Sequence, residues 1–189
     1  EYRTQVIGVT GTKGKSTTSS LIHHILVTAG RKSILAGNIG NPPLDSIHHA
    51  GPGSWIVCEM SSHQLEDLRL SPHIAVLLNL YPEHLDRYAG KEEYFRAKWN
   101  IFLHQAEEDV CIVNDTIDPD DLPPGMESLP GKMFRYGSGI KDIPGCYLEK
   151  GHVTVVGRSG KHECCMLDET LFLKGEHNRM NMLAAILAA

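Results

Sequence analysis

Val6-Ile7-Gly8-Val9-Thr10-Gly11-Thr12-Lys13-Gly14-Lys15-Ser16-Thr17 is the run on which the rest of this sequence turns. Its first four residues are apolar and mostly β-branched, as suits a strand buried on both faces. A Gly-rich turn follows, then a helical pattern over about residues 15–29, with Gly30 placed to cap it. Strand, glycine turn and helix start together are the context a phosphate loop needs. Glycines let backbone N–H groups turn toward an anion, and the helix start adds its dipole. Gly11, Thr12, Lys13, Gly14, Lys15, Ser16 and Thr17 are therefore the candidate nucleotide-binding residues. Lys15 supplies a point charge to the terminal phosphates of ATP, and Ser16 a hydroxyl to Mg²⁺. The spacing departs from the general pattern, because Val9 stands where its first glycine is expected and Gly11 lies closer to Gly14.

Outward from this loop, residues 33–36 read as a second strand that enters the turn-rich Gly37-Asn38-Ile39-Gly40-Asn41-Pro42-Pro43. Residues 55–58 form a third strand ending on Glu59, and residues 74–78 a fourth ending on Asn79. A helix is expected over residues 91–106 and a fifth strand over 110–113, ending on Asn114. Strands alternating with helices predict an α/β fold: a three-layer, mostly parallel sheet of P-loop type with helices on both faces. Ligands of such sheets bind beyond the carboxyl ends of the strands, where Thr10, Glu59, Asn79 and Asn114 collect. Residues 115–130 are acidic and Pro-rich and read as a loop. After Gly137, residues 146–149, 152–156, 163–167 and 171–173 read as short strands. They predict a small antiparallel β meander over about residues 145–174.

Composition narrows the class. The chain has 189 residues, 41% of them hydrophobic and 22% charged, which suits one globular domain with a full core. A net charge of -5 and a pI near 6.1 argue against a nucleic-acid partner. No apolar stretch is long enough to span a membrane. Five cysteines without framework spacing point to a reducing compartment, the cytoplasm. On a regular strand, Cys164 and Cys165 would point to opposite faces, which argues against a metal site with His162. The first strand begins almost at the N-terminus and the last helix, residues 177–189, stops in mid-pattern, so the chain is expected to be a segment of a longer protein. A switch-type GTPase is excluded because no Asn-Lys-x-Asp base-reading motif occurs; Asp142-Ile143-Pro144-Gly145 lies in the wrong region for that class.

Three further residues carry chemistry. Glu59 ends a buried strand beside the loop, the usual place for a Mg²⁺ ligand. His84, in Pro82-Glu83-His84-Leu85-Asp86, follows the fourth strand; alone, such a histidine reads as a hydrogen bonder. Lys98 shares a helical face with Tyr94, Ile101 and Phe102. From the pattern alone its head group is expected to snorkel outward.

Taken in order, Thr10-Gly11-Thr12-Lys13-Gly14-Lys15-Ser16, Glu59 with Ser61-Ser62, Glu83-His84-Leu85-Asp86, the helix with Lys98, and His177-Asn178-x-x-Asn181 resemble the Mur ligases. These are ATP-dependent amide ligases that build the peptidoglycan stem peptide. The resemblance covers essentially the whole chain, residues 1–189, but only the family's central ATP-binding domain. Gly37-Asn38-Ile39-Gly40 and Ser61-Ser62-His63-Gln64-Leu65-Glu66 look most like the branch that joins D-glutamate to UDP-N-acetylmuramoyl-L-alanine. Lys13, where the family often has Asn, and His63, where that branch often has a bulky apolar residue, depart from the pattern.

The resemblance implies ATP and Mg²⁺ as cofactors and a monomeric enzyme whose substrates are small molecules. It implies that Lys15 and Ser16 hold the phosphates and first Mg²⁺, and that Glu59 binds that ion. His84 and a carbamylated Lys98 would bind a second. Asn38 and Ser61 would contact the substrate, and Asn178 and Asn181 the adenine and ribose. Lys15, His84 and Lys98 are then the catalytic set. Carbamylation needs the neutral amine, and a free lysine is neutral roughly one time in a thousand near pH 7.4, so burial of Lys98 is a chemical condition of that role.

Overall fold

A computed structural model describes residues 5–37, 48, 50–83, 87–117, 129–139, 141–157, 159–167 and 173–189. Strand β1 (Val6–Thr10) leads through the Gly-rich loop into helix α1 (Lys15–Thr28), and β2 (Ser33–Gly37) follows. Next come β3 (Trp55–Glu59), the short helix α2 (Ser62–Glu66), β4 (Ile74–Leu77) and α3 (Lys91–Leu103). Strands β5 (Val110–Asn114), β6 (Lys132–Ser138), β7 (Gly145–Glu149), β8 (His152–Gly157) and β9 (Gly160–Met166) precede α4 (Glu176–Ala188). They form one sheet in the order β2-β3-β1-β4-β5-β6-β7-β8-β9. From β2 to β7 every pairing is parallel, and β7–β8 and β8–β9 are antiparallel.

The meander expected near residue 145 is thus the antiparallel continuation of the main sheet. The segment 132–138 is a full parallel strand that the sequence reading passed over. Met133-Phe134-Arg135-Tyr136 lies between Gly131 and Gly137, and so short a run shows no period. The expected strand over residues 171–173 lies mostly outside the described residues, and Leu173 is in a bend. The helix expected to reach residue 106 ends at Leu103, where the next backbone N–H, that of His104, donates to Ser71 Oγ (2.9 Å).

Both faces of the sheet are covered. Ile7, Val9, Val57, Val76, Leu78 and Ile112 pack with Ile22 and Leu26 of α1 and with Leu183, Ala184 and Ala185 of α4. Ala75, Leu77, Cys111 and Val113 face the other way, onto Tyr94, Trp99, Ile101 and Phe102 of α3 and Leu65 of α2. Alternation along β4 serves both layers, with Val76 on one side and Ala75 and Leu77 on the other. The edge strand β9 departs from alternation. Val153 of β8 pairs with Cys165 and Thr154 with Glu163, so Cys164 is an extra residue in a β-bulge. No helix among the described residues is long and apolar enough to cross a membrane.

Candidate nucleotide and metal site

The loop after β1 is held from both sides. Thr10 Oγ1 donates to the Met60 carbonyl (2.9 Å), and the Met60 N–H donates to the Val9 carbonyl (2.9 Å). On the β4 side, the Lys13 N–H donates to Asn79 Oδ1 and Asn79 Nδ2 donates back to the Lys13 carbonyl, each at 2.9 Å. Thr12 Oγ1 accepts from the Tyr81 N–H (3.0 Å) and donates to the Tyr81 carbonyl (3.1 Å). Helix α1 starts from Gly14, at φ 87°, and no side chain caps it. A Cβ on Gly14 would lie 2.5 Å from Asn181 Oδ1, so the loop backbone reaches α4 at a point where only glycine fits.

Lys15 arches back over the loop, its Nζ donating to the carbonyls of Gly11 (3.1 Å) and Thr12 (3.0 Å). Ser16 lies on the exposed side of the first turn, and its Oγ donates to Glu59 Oε2 (2.9 Å). Glu59 itself is 2% exposed at the end of β3. A buried carboxylate aimed at an exposed hydroxyl is a pair of hard oxygen donors, the kind Mg²⁺ takes. Thr17 is half-buried in the same turn of α1.

Lys98 does not snorkel. It is 2% exposed, its Nζ donates to the Gly11 carbonyl (2.8 Å), and it lies 4.7 Å from the centre of the Tyr94 ring. The loop carbonyl gives the ammonium an acceptor inside the protein, which the helical pattern of α3 alone could not reveal. Burial, reinforced by the charge of Lys15 and opposed by Glu83, pushes Lys98 down from 10.5 to about 7. The amine is therefore available in its neutral form near neutral pH.

Beside the loop opens a cavity of about 540 Å³, bounded by Lys13, Gly14, Asn79 and Tyr81 on one side and by Glu176, His177, Met180 and Asn181 on the other. Asn114, Asp115 and Tyr136 also line it, and Lys141 reaches Asp115 (2.7 Å). The size suits a nucleoside-sized ligand. Asp115, Tyr136, Lys141 and Glu176 were not anticipated from the sequence. Tyr136 sits on strand β6, and Lys141 follows it before β7, where no periodic signal exists. Asn79 and Asn114, as polar strand ends, and Lys13, Gly14 and Asn181, as expected nucleotide-binding residues, did point here.

Of the other expected residues, Asn181 lines the cavity, and its Nδ2 donates to Asn178 Oδ1 (3.4 Å). Asn178 Nδ2 in turn donates to the Lys174 carbonyl (2.8 Å). The Ser61 hydroxyl caps α2, accepting from the Gln64 N–H (3.3 Å) in a capping box. Asn38 and His84 lie outside the described residues. Among the described residues no group of three or more His, Cys, Asp or Glu side chains is placed to hold a metal. The described part of the expected metal set is Ser16, Glu59 and Lys98, around the start of α1.

Comparison with known proteins agrees with this arrangement. Residues 9–189 match the family described as the Mur ligase middle domain. The chain is 39% identical, over 97% of its length, to the UDP-N-acetylmuramoylalanine--D-glutamate ligase of Clostridium kluyveri, and covers 39% of that protein. It is 36% identical to the enzyme of the same name from Clostridioides difficile, covering 40% of it. The chain therefore spans about two-fifths of the length of these relatives. Among solved structures, a UDP-N-acetylmuramoyl-L-alanyl-D-glutamate--2,6-diaminopimelate ligase matches 98% of this chain and 42% of its own, at 25% identity and a TM-score of 0.71. A MurF ligase from Thermotoga maritima in complex with ADP shares the fold, with a TM-score of 0.68 at 20% identity, over 96% of this chain and 44% of its own. On the loop, the strand-end carboxylate and a match over nearly its whole length, this chain belongs to the Mur ligase middle-domain family.

Proposed function

We propose that this chain is the central nucleotide-binding domain of an ADP-forming acid–amino-acid ligase that joins D-glutamate to UDP-N-acetylmuramoyl-L-alanine. Such an enzyme works in the cytoplasm, on peptidoglycan precursors needed for cell shape and division. One observation carries the reading: Ser16 with Glu59, Lys15 and the buried Lys98 all converge on the loop from Gly11 to Ser16. The relatives named for D-glutamate addition support the choice of amino acid. The acidic net charge supports small-molecule substrates rather than nucleic acid, and the enzyme is read as a monomer.

In this reading the loop N–H groups and the uncapped start of α1 receive the phosphates of ATP. Lys15 leaves its carbonyl partners to face the terminal phosphate, and the base and ribose enter the cavity between Asn79 and Asn181, with Asn178 bracing Asn181. Ser16 and Glu59 would hold one Mg²⁺, and His84 with carbamylated Lys98 would hold a second; bound there, the ions would neutralise charge on the transferring phosphoryl group. Asn38 and Ser61 meet the substrate near its carboxylate. That carboxylate attacks the γ-phosphorus, giving an acyl phosphate and ADP. The amine of D-glutamate then attacks the acyl carbon and phosphate leaves. The protein's part in the first step is positioning and charge neutralisation.

The test is phosphate release by the longer protein that carries this segment, with ATP, Mg²⁺ and UDP-N-acetylmuramoyl-L-alanine, D-glutamate being added last. Release that waits for D-glutamate supports the reading. Release that answers a different amino acid keeps the family and moves the step, and no release with any amino acid overturns a ligase.

A further inference from the structure

The bulge in β9 undoes the alternation that would have separated its two cysteines. Residues directly opposite each other in an antiparallel ladder present side chains to the same face. Cys165 is opposite Val153, and Val153 is buried in the same core cluster as Cys146, so Cys165 shares that face. Strict alternation would send Cys164 to the other side. As the unpaired extra residue of the bulge it escapes that rule. Burial first, and the adjacent Cys164 after it, hold the Cys165 thiol above its usual range, and after burial both cysteines act electrostatically on Cys146. Cys164 and Cys165 are exposed and Cys146 is buried. Among the described residues β9 is the edge of the sheet, and no further strand covers either exposed thiol.

We propose that Cys164 and Cys165 form a surface dithiol site that chelates a trivalent arsenical. The donor count selects this ligand. A structural Zn²⁺ site needs four protein ligands, and among the described residues no third ligating side chain completes a cluster. A direct disulfide is disfavoured, because adjacent Cα atoms stand about 3.8 Å apart across a trans peptide, below the roughly 4.4–6.8 Å that a disulfide spans. A bridging atom that takes two thiolates relieves that constraint. The chemistry is condensation. Each sulfur forms one bond to arsenic, and the arsenic–oxygen bond of an organoarsenic oxide breaks. The two thiol protons leave with that oxygen as one water, and arsenic stays trivalent throughout.

Phenylarsine oxide, added at one equivalent to the reduced chain, is the probe. Intact mass and thiol titration are expected to give one arsenic bound and two thiols lost per chain. Peptide mapping should place the adduct on the peptide containing residues 164 and 165. A dithiol should reverse the adduct where a monothiol does not. Cys164→Ser and Cys165→Ser, both at exposed positions, should each weaken binding roughly 100-fold or more, as expected when a two-point attachment becomes one-point. Cys58→Ser should bind like the unsubstituted chain. An adduct that survives either single substitution, maps elsewhere, or consumes only one thiol overturns the proposal.

Discussion

Replacing Lys98 by methionine removes an ammonium that is 2% exposed while keeping an unbranched side chain in the same space. The depressed value, from 10.5 to about 7, sets the scale; at about 1.4 kcal/mol for each pH unit, the charged form costs the fold up to about 5 kcal/mol. In the unfolded chain this lysine keeps its proton until about pH 10.5, whereas in the fold it releases it near 7. Between those values the unfolded state binds more protons, so stability rises with pH. Integrated from pH 7 to 8.5, the gain is about 2 kcal/mol, or roughly 4–8 °C in melting temperature for a domain of this size. The Lys98→Met variant should lack that gain. Urea unfolding of both proteins at the two pH values, in buffer free of carbon dioxide, measures the difference directly. Unfolded thiols begin to ionise at the top of this window, and because the fold raises Cys58 to about 11 and Cys111 and Cys146 to about 12 they act with the opposite sign, but equally in both proteins, so the difference between the two isolates Lys98. Stability curves that run parallel with pH would refute the reasoning, because Lys98 would then be titrating as an ordinary lysine.

In the longer protein, Lys98→Ala should abolish ligation, and short carboxylates should partly restore it; an unmodified lysine in active enzyme, with no rescue, would remove the carbamate role. Gly14→Ala should cost about 1–2 kcal/mol for its left-handed backbone and should also displace Asn181, lowering nucleotide affinity in calorimetric titration. Gly30→Ala, where φ is 74° but a Cβ meets nothing within 4 Å, should cost stability alone. Ser16→Ala should weaken binding of Mg²⁺-nucleotide more than binding of nucleotide in EDTA, since the hydroxyl bonded to Glu59 is the metal donor in this reading. An equal loss in both conditions would assign Ser16 to the phosphates instead.

Much of this protein was legible in the chain itself. The strand–loop–helix of residues 6–28, the strands ending on Glu59 and Asn114, and the parallel α/β class all follow from local signals: β-branched runs, glycines at a turn, polar residues at strand ends. Those signals are local because period and turn chemistry are properties of a few neighbouring residues. The fate of Lys98 was not local. Its partner, the Gly11 carbonyl, lies 87 positions away, and only packing α3 against the loop brings the ammonium there. The cavity wall from Asp115, Tyr136 and Lys141 depended on β6 joining the sheet beside β5, a pairing that its own short run of residues does not announce. The facing of Cys164 was decided by a bulge, one extra residue in a ladder, which exists only relative to the partner strand. Sequence by itself determined most of the elements, β6 excepted, and which end of the sheet carries the candidate site. Tertiary structure alone decided which buried groups meet, because those contacts are set by packing between segments far apart in the chain.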